Sequence, residues 1–261
     1  CACTQSYTTI KYLKQDLPSV RPVVMATVPR LWESVQIGFE DAMKSMKPNT
    51  QKTLRILLSN SAAYKLSLRT VRQLLVDEVS FGDRVLACFE VSLRWPLHAL
   101  ASMFLWPKIL KKLCGGRLKF PINGGGAIPG HVDSFFESLG VELLVGYGLT
   151  ETSPVISCRR PWRNIRGTSG SPLPKTEVRI VDPESGDQMK MKEQGRVLVR
   201  GPQVMKGYLG NQEETNKAID HKGWFDTGDL GMLLKDGSLV LTGRAKDTIV
   251  LSTGENIEPG P

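Results

Sequence analysis

A mixed α/β fold, with a parallel-sheet α/β part followed by a small β-barrel-like part, is predicted by three features of the sequence. Residues 118–148 alternate strand, glycine-rich loop, helix and strand, the order a parallel sheet produces. After residue 165 the texture changes to short, β-branched, alternating segments bounded by turn residues. Ahead of both, residues 4–113 read as helices with one short strand among them. The expected division is an α/β part over residues 1–165 and a β-rich part over 166–243.

Taken in order, residues 4–20 pattern as a helix with Tyr12 and Leu13 on one face. It should end near Leu17-Pro18, because proline restricts the residue before it. Val23–Val28, between Pro22 and Pro29, reads as a short buried strand. Arg30-Leu31-Trp32-Glu33 opens a helix to about Met46, and residues 50–80 are helical in pattern and polar on one side. Residues 82–113 are the most apolar part, with Phe89, Trp95, Phe104, Leu105 and Trp106. Glu90, Arg94, Pro96, His98 and Pro107 interrupt them, leaving no run of the roughly 20 apolar residues that a membrane span needs. Core packing is the expected role, and His98 is expected as a satisfied boundary histidine. The alternative is an interfacial helix in peripheral contact with a membrane, since Lys108, Lys111 and Lys112 flank the aromatic residues.

A strand over Leu118–Ile122, the glycines Gly124-Gly125-Gly126, a helix from about Gly130 to Leu139 and a strand over Val141–Val145 follow. Beyond them, Glu177–Val181, Gly195–Arg200 and Ser238–Thr242 alternate as half-buried strands do.

With 261 residues, 41% hydrophobic and 23% charged, the chain suits one large or two modest globular domains. Cys1, Cys3, Cys88, Cys114 and Cys158 are odd in number and scattered, which fits neither zinc spacing nor a disulfide framework and points to a reduced compartment. The chain opens on Cys1 rather than Met, so it is expected to begin inside a longer protein, and targeting is not legible from it. Its formal charge is +8, concentrated in two acid-free stretches, Lys44–Arg72 and Arg94–Lys119. Solvated helix faces are the expected role, with a steering surface for an acidic partner as the alternative. Nucleic acid is not an expected partner, because no binding motif is present.

The densest chemistry lies in Gly146-Tyr147-Gly148-Leu149-Thr150-Glu151-Thr152-Ser153-Pro154, at the carboxyl end of a buried strand, where sites in α/β sheets gather. Glycines let backbone approach a ligand, the Thr150 hydroxyl suits a phosphate oxygen, and the Glu151 carboxylate suits Mg²⁺. A polar strand-to-loop turn is the competing reading. Upstream, Asn123-Gly124-Gly125-Gly126-Ala127 offers bare backbone to a flat ring but lacks a dinucleotide fingerprint. Downstream, Gly223-Trp224-Phe225-Asp226-Thr227-Gly228-Asp229 presents Asp229, a carboxylate able to accept from two vicinal hydroxyls, unless the segment is a plain hairpin turn. Further on, Gly243-Arg244-Ala245-Lys246-Asp247 runs on to Ser252-Thr253-Gly254-Glu255-Asn256. The histidines His98, His131 and His221 fall outside every motif, so no Ser-His or Cys-His nucleophile is in view.

The order and spacing of these motifs resemble the adenylate-forming superfamily of acyl-CoA synthetases, luciferases and peptide-synthetase adenylation domains. The ending from Gly243 to Pro259 resembles the plastid acyl-acyl-carrier-protein synthetase group. The likeness runs from about residue 5 to the end and is faint over residues 40–113.

The resemblance implies ATP-dependent activation of a long-chain fatty acid. Its acyl group would then pass to the thiol of CoA or of the phosphopantetheine on an acidic acyl carrier protein, in a chloroplast. It implies an adenine pocket at Gly125, Gly126, Ala127, Tyr147 and Gly148, phosphate at Thr150, Mg²⁺ at Glu151 and ribose at Asp229. Arg244 would contact ribose or α-phosphate. Residues 244–261 would be a hinge at Lys246 and the start of a further domain, with Gly254 bordering the thiol tunnel. Thr168-Ser169-Gly170-Ser171-Pro172-Leu173-Pro174-Lys175 looks like a phosphate-gripping loop but comes after the Thr-Glu motif, so it is taken as the lead-in to the β-rich part. The phosphate loop and C-terminal domain of the family are expected outside this chain. Activation of another acid such as an aryl acid, or nucleotide or acyl-carrier binding without turnover, stays open.

Overall fold

The computed structural model describes residues 12–245 and the short strands Ile249–Val250 and Asn256–Ile257. They fall into two compact units: unit 1 takes the chain up to Asn123 and Ile128–Leu144, and unit 2 takes Gly124–Ala127 and the chain from Val145 onward. The contacts thus divide the chain near 124–128 and 144, whereas the change of texture in the sequence lies near 165.

Unit 1 is mainly helical. Helix α1 (Leu13–Val20) leads to strand β1 (Val24–Thr27), then α2 (Pro29–Lys44), α3 (Pro48–Arg72), α4 (Phe81–Phe104) and α5 (Trp106–Cys114). Strand β2 (Phe120–Asn123) and helix α6 (Gly130–Ser138) follow. Proline at the first turns of α2 and α3 costs no hydrogen bond, because those amides lack intrahelical partners anyway. The α1 helix runs past the expected stop and holds Pro18 within it. Strands β1 and β2 pair in parallel, Val24 with Phe120 and Thr27 with Asn123.

The expected burial of β1 is corrected. Val24 is exposed, as are Phe120 and Ile122 on β2, while Pro121 and Asn123 are buried. Alternation along a strand sends successive side chains to opposite faces, and this pair buries only one. The core of the unit gathers Trp32 and Val35 of α2 with Val132 and Phe136 of α6. Trp32 meets Phe136 edge-on, with ring centroids 4.9 Å apart.

Two further corrections concern the helices. Core packing was expected for the apolar stretch 82–113, yet Phe89, Leu93, Trp95, Met103 and Phe104 are exposed and α4 turns mostly small residues inward. Arg69 was expected on a solvated basic face; it is buried, its Nε 2.8 and 3.0 Å from the two carboxylate oxygens of buried Glu137. His98 fits its expected role: its Nδ1 lies 2.9 Å from Ser61 Oγ and its ring stacks on Tyr64.

In unit 2, β3 (Leu144–Tyr147, whose first residue belongs to unit 1) pairs antiparallel with β4 (Ser157–Cys158), and β4 with β5 (Ser171–Pro172). Strands β6 (Glu177–Val181), β7 (Gly195–Arg200), β8 (Phe225–Leu233) and β9 (Leu239–Arg244) form an antiparallel meander. Helix α7 (Gln212–Ala218) precedes β8. Ile156, Ile180, Val197, Val199 and Leu239 form its core. These four strands pair in the order β6-β7-β8-β9. Strand β10 (Ile249–Val250) pairs antiparallel with β11 (Asn256–Ile257).

Candidate active site

The site lies within unit 2. Gly148 follows β3, and a Cβ there would sit 1.7 Å from the Pro154 carbonyl oxygen, so the turn after the strand admits no side chain. A short 3₁₀ turn, Thr150–Thr152, comes next, pinned by buried Thr152. The Thr152 hydroxyl accepts from the Leu149 amide at 3.0 Å and lies 3.0 Å from the carbonyl oxygens of Leu149 and Pro154. That anchoring leaves Thr150 exposed and Glu151 half-buried beside it.

Strand β8 brings the second motif to the first. Thr227 fixes the strand by donating to the Val197 carbonyl at 2.8 Å and accepting from the Asp229 amide at 3.1 Å. Gly228 has φ +71°, which sets the backbone between Thr227 and Asp229 in a conformation glycine favours. Asp229 is 6% exposed. The Tyr147 hydroxyl donates to its Oδ2 at 2.6 Å, across 82 positions of sequence. Register pairs Asp229 with Arg244 across β8 and β9, and Arg244 Nε lies 3.1 Å from Asp229 Oδ1. Burial, then the neighbouring Asp229 charge, push the Tyr147 hydroxyl far above the usual tyrosine range, so it remains a donor. A carboxylate has about four acceptor positions, so Asp229 retains capacity for further donors.

Glu151 has a partner that sequence reasoning missed. The Tyr208 hydroxyl donates to Glu151 Oε1 at 3.1 Å, and the Met205 amide donates to the Glu151 carbonyl at 2.8 Å. Burial and the Glu151 contact raise the Tyr208 hydroxyl above its ordinary value. Nothing local in Gly207-Tyr208-Leu209-Gly210 signals a partner 57 residues away. No cluster of three potential metal ligands occurs among the described residues. A lone half-buried carboxylate fits Mg²⁺, which keeps several waters and takes its other ligands from phosphates.

The other expected residues divide plainly. Gly124–Ala127 belongs to the same unit as Tyr147, and Gly125, at φ +76°, needs glycine's freedom. A Cβ on Gly124 would lie 3.9 Å from the Gly146 carbonyl oxygen, which sets the glycine segment alongside β3. Trp224 is a packing residue, with the Arg179 and Arg200 guanidinium groups 4.4 and 4.7 Å from its ring centroid. Asp226 accepts from Arg196 at 3.0 Å. The hydroxyls of Ser157, Thr168 and Ser169 bond to backbone carbonyls of the unit, as a lead-in to a sheet requires and a phosphate grip does not. Lys246 and Gly254 lie outside the described residues.

A family model described as AMP-binding enzyme matches residues 2–209. The chloroplastic long-chain-fatty-acid–(acyl-carrier-protein) ligase AEE15 of Arabidopsis thaliana is 40% identical over 99% of this chain and 38% of its own length. Long chain acyl-CoA synthetase 7, peroxisomal, of the same plant is 32% identical over 95% of this chain and 32% of its own. The chain therefore spans about a third of the length of these relatives. Among solved structures, an ATP-bound RpMatB-BxBclM chimera matches with a TM-score of 0.54 and 28% identity, over 63% of this chain and 32% of its own. The amide bond synthetase McbA from Marinactinospora thermotolerans matches at 0.51 and 30% identity, over 62% of this chain and 32% of its own.

Proposed function

Because the chain belongs to the AMP-binding enzyme family, we propose that it supplies the nucleotide-binding centre of a ligase that activates long-chain fatty acids with ATP. The observation that carries this reading is the Tyr147–Asp229–Arg244 arrangement, which joins two of the three motifs and the start of the third in one polar site. Fatty acid is the favoured substrate because relatives named for long-chain fatty acids match nearly the whole chain.

In the first half-reaction, a carboxylate oxygen of the fatty acid attacks the α-phosphorus of ATP. The bond to the bridging oxygen breaks, pyrophosphate leaves with the electron pair, and acyl-adenylate forms. In the second, a phosphopantetheine or CoA thiol gives up its proton and attacks the acyl carbonyl, and AMP departs.

Adenine lies against Gly125, Gly126, Ala127, Tyr147 and Gly148 in this reading, and Asp229 accepts from the ribose hydroxyls. Thr150 meets a phosphate oxygen, and Arg244 offsets charge on the ribose or α-phosphate side. Mg²⁺ at Glu151, oriented by Tyr208, supplies neutralisation of phosphate charge when bound. Lys246 serves as hinge and Gly254 borders the thiol tunnel. Acyl carrier protein is the favoured thiol donor and the plastid the favoured compartment, as the name of the 40% identical relative suggests. A lipid surface is the natural reservoir of so sparingly soluble an acid.

ATP–pyrophosphate exchange by the whole protein tests this reading. Exchange should depend on hexadecanoic acid and not on benzoic acid. Exchange driven by the aryl acid alone, or by neither acid, overturns it.

A further inference from the structure

Helix α4 is built inside out. Toward α3 it turns buried Ala87 and Ala101, and polar groups that find partners there. His98 Nδ1 lies 2.9 Å from Ser61 Oγ, Asn60 donates to the Arg94 carbonyl at 3.2 Å, and Glu90 accepts from Ser67. At about 100° per residue, Leu86, Phe89, Leu93, Leu100, Met103 and Phe104 fall in one sector on the opposite side. Each is 57–70% exposed, and no charged residue falls within that sector. A helix facing water carries charge on its outer side; a continuous apolar strip there marks a contact surface.

The charge around the strip selects the occupant. From Arg94 to Lys119 every charged residue is basic. Lys108, Lys111 and Lys112, on the helix that begins two residues after α4 ends, are exposed. Asp83 and Glu90 lie near the amino-terminal half of the strip, but its carboxyl-terminal half has a wholly basic surround, which complements acyl chains beneath anionic headgroups. Among the described residues, no helix is long and apolar enough to cross a membrane, so the contact lies in the surface plane.

We propose that α4 docks the protein on an anionic bilayer surface, its apolar sector among the acyl chains and the α5 lysines at the headgroups. The proposal rests on the fatty-acid reading only for its use, since an acid dissolved in the bilayer then reaches the enzyme without crossing water.

The test needs neither ATP nor fatty acid, so its failure is separable from failure of the ligase reading. The whole protein is sedimented with phosphatidylcholine vesicles containing 30% phosphatidylglycerol, and with pure phosphatidylcholine vesicles. Binding should be at least about tenfold tighter to the anionic vesicles and weaken with salt. Phe89→Asp with Leu93→Asp should lower it at least about tenfold with unchanged circular dichroism, as both side chains are exposed. Lys111→Glu with Lys112→Glu should erase the preference for anionic vesicles. Protein left in the supernatant overturns the proposal, as does sedimentation indifferent to the Asp substitutions. A dimer that those substitutions turn into monomers, with vesicle binding unchanged, also overturns it and makes the strip an interface between copies.

Discussion

Replacing Asp229 with Ala asks whether the Tyr147–Asp229–Arg244 arrangement is a nucleotide site or only a clasp between strands. The Tyr147 bond is short, at 2.6 Å, and ends on a buried carboxylate, so it belongs with hydrogen bonds to charged groups, worth about 1.5–3 kcal/mol. The Arg244 pair is 3.1 Å long, but the arginine side chain is 63% exposed, which limits it to about 0–1 kcal/mol. Asp229→Ala should therefore lower folding stability by about 2–4 kcal/mol in urea titrations. Tyr147→Phe should lower it by about 1.5–3 kcal/mol, and the double variant little more than Asp229→Ala alone. Nucleotide affinity then separates the roles. Two ribose hydroxyls losing a charged acceptor cost at least about 3 kcal/mol, a 100-fold loss of AMP affinity by calorimetry on the whole protein. Tyr147→Phe keeps both the ring and the carboxylate, so its loss should stay within about tenfold. AMP binding by Asp229→Ala within twofold of the parent would refute the nucleotide assignment, whatever happened to stability.

Two further predictions concern unit 1. Glu137→Leu leaves the Arg69 guanidinium buried without its carboxylate and should cost about 3–5 kcal/mol in urea unfolding; adding Arg69→Met should recover most of that, and a double variant as unstable as the single would refute the pairing argument. Burial, and secondarily Lys65, hold the His98 imidazole below its ordinary value, so the unfolded chain binds the proton more tightly. Its contribution is intact above about pH 6.5 and declines as pH falls below that, until the folded imidazole also protonates. Urea midpoints at pH 7.5 and 5.5 should differ less in His98→Gln than in the parent, and an equal difference in both refutes the assignment.

What the sequence showed best was whatever rests on neighbours along the chain. Alternation put strands at residues 177–181 and 195–200, where β6 and β7 lie, because a half-buried strand needs only a period of two. The mixed α/β class held for the same reason. Composition marked the α4 stretch as apolar, but not which side is covered, and the polar groups of Glu90 and His98 became intelligible only once α3 supplied Ser67 and Ser61. Arg69 looked like one more surface cation because its partner stands 68 residues away. At the candidate site, Tyr147, Glu151, Asp229 and Arg244 stood out in the sequence by chemical type. Tyr208 did not, since its role is a hydrogen bond to Glu151 that no local pattern encodes.

The path of the chain through unit 2 bears on how such a protein can be taken apart or recombined. Gly124–Ala127 belongs to that unit, the next seventeen residues to the other, and the chain returns at Val145. No single cut releases unit 2 alone and whole: one placed at 144 strands the glycine segment, and one placed at 123 carries α6 along with it. Recombination between homologues obeys the same rule. A single crossover within 128–144 would match one parent's glycine segment to the other's Tyr147 and Asp229; one at 123 keeps unit 2 native to one parent but brings α6 with it, and exchanging α6 apart from unit 2 needs a breakpoint on each side of the helix.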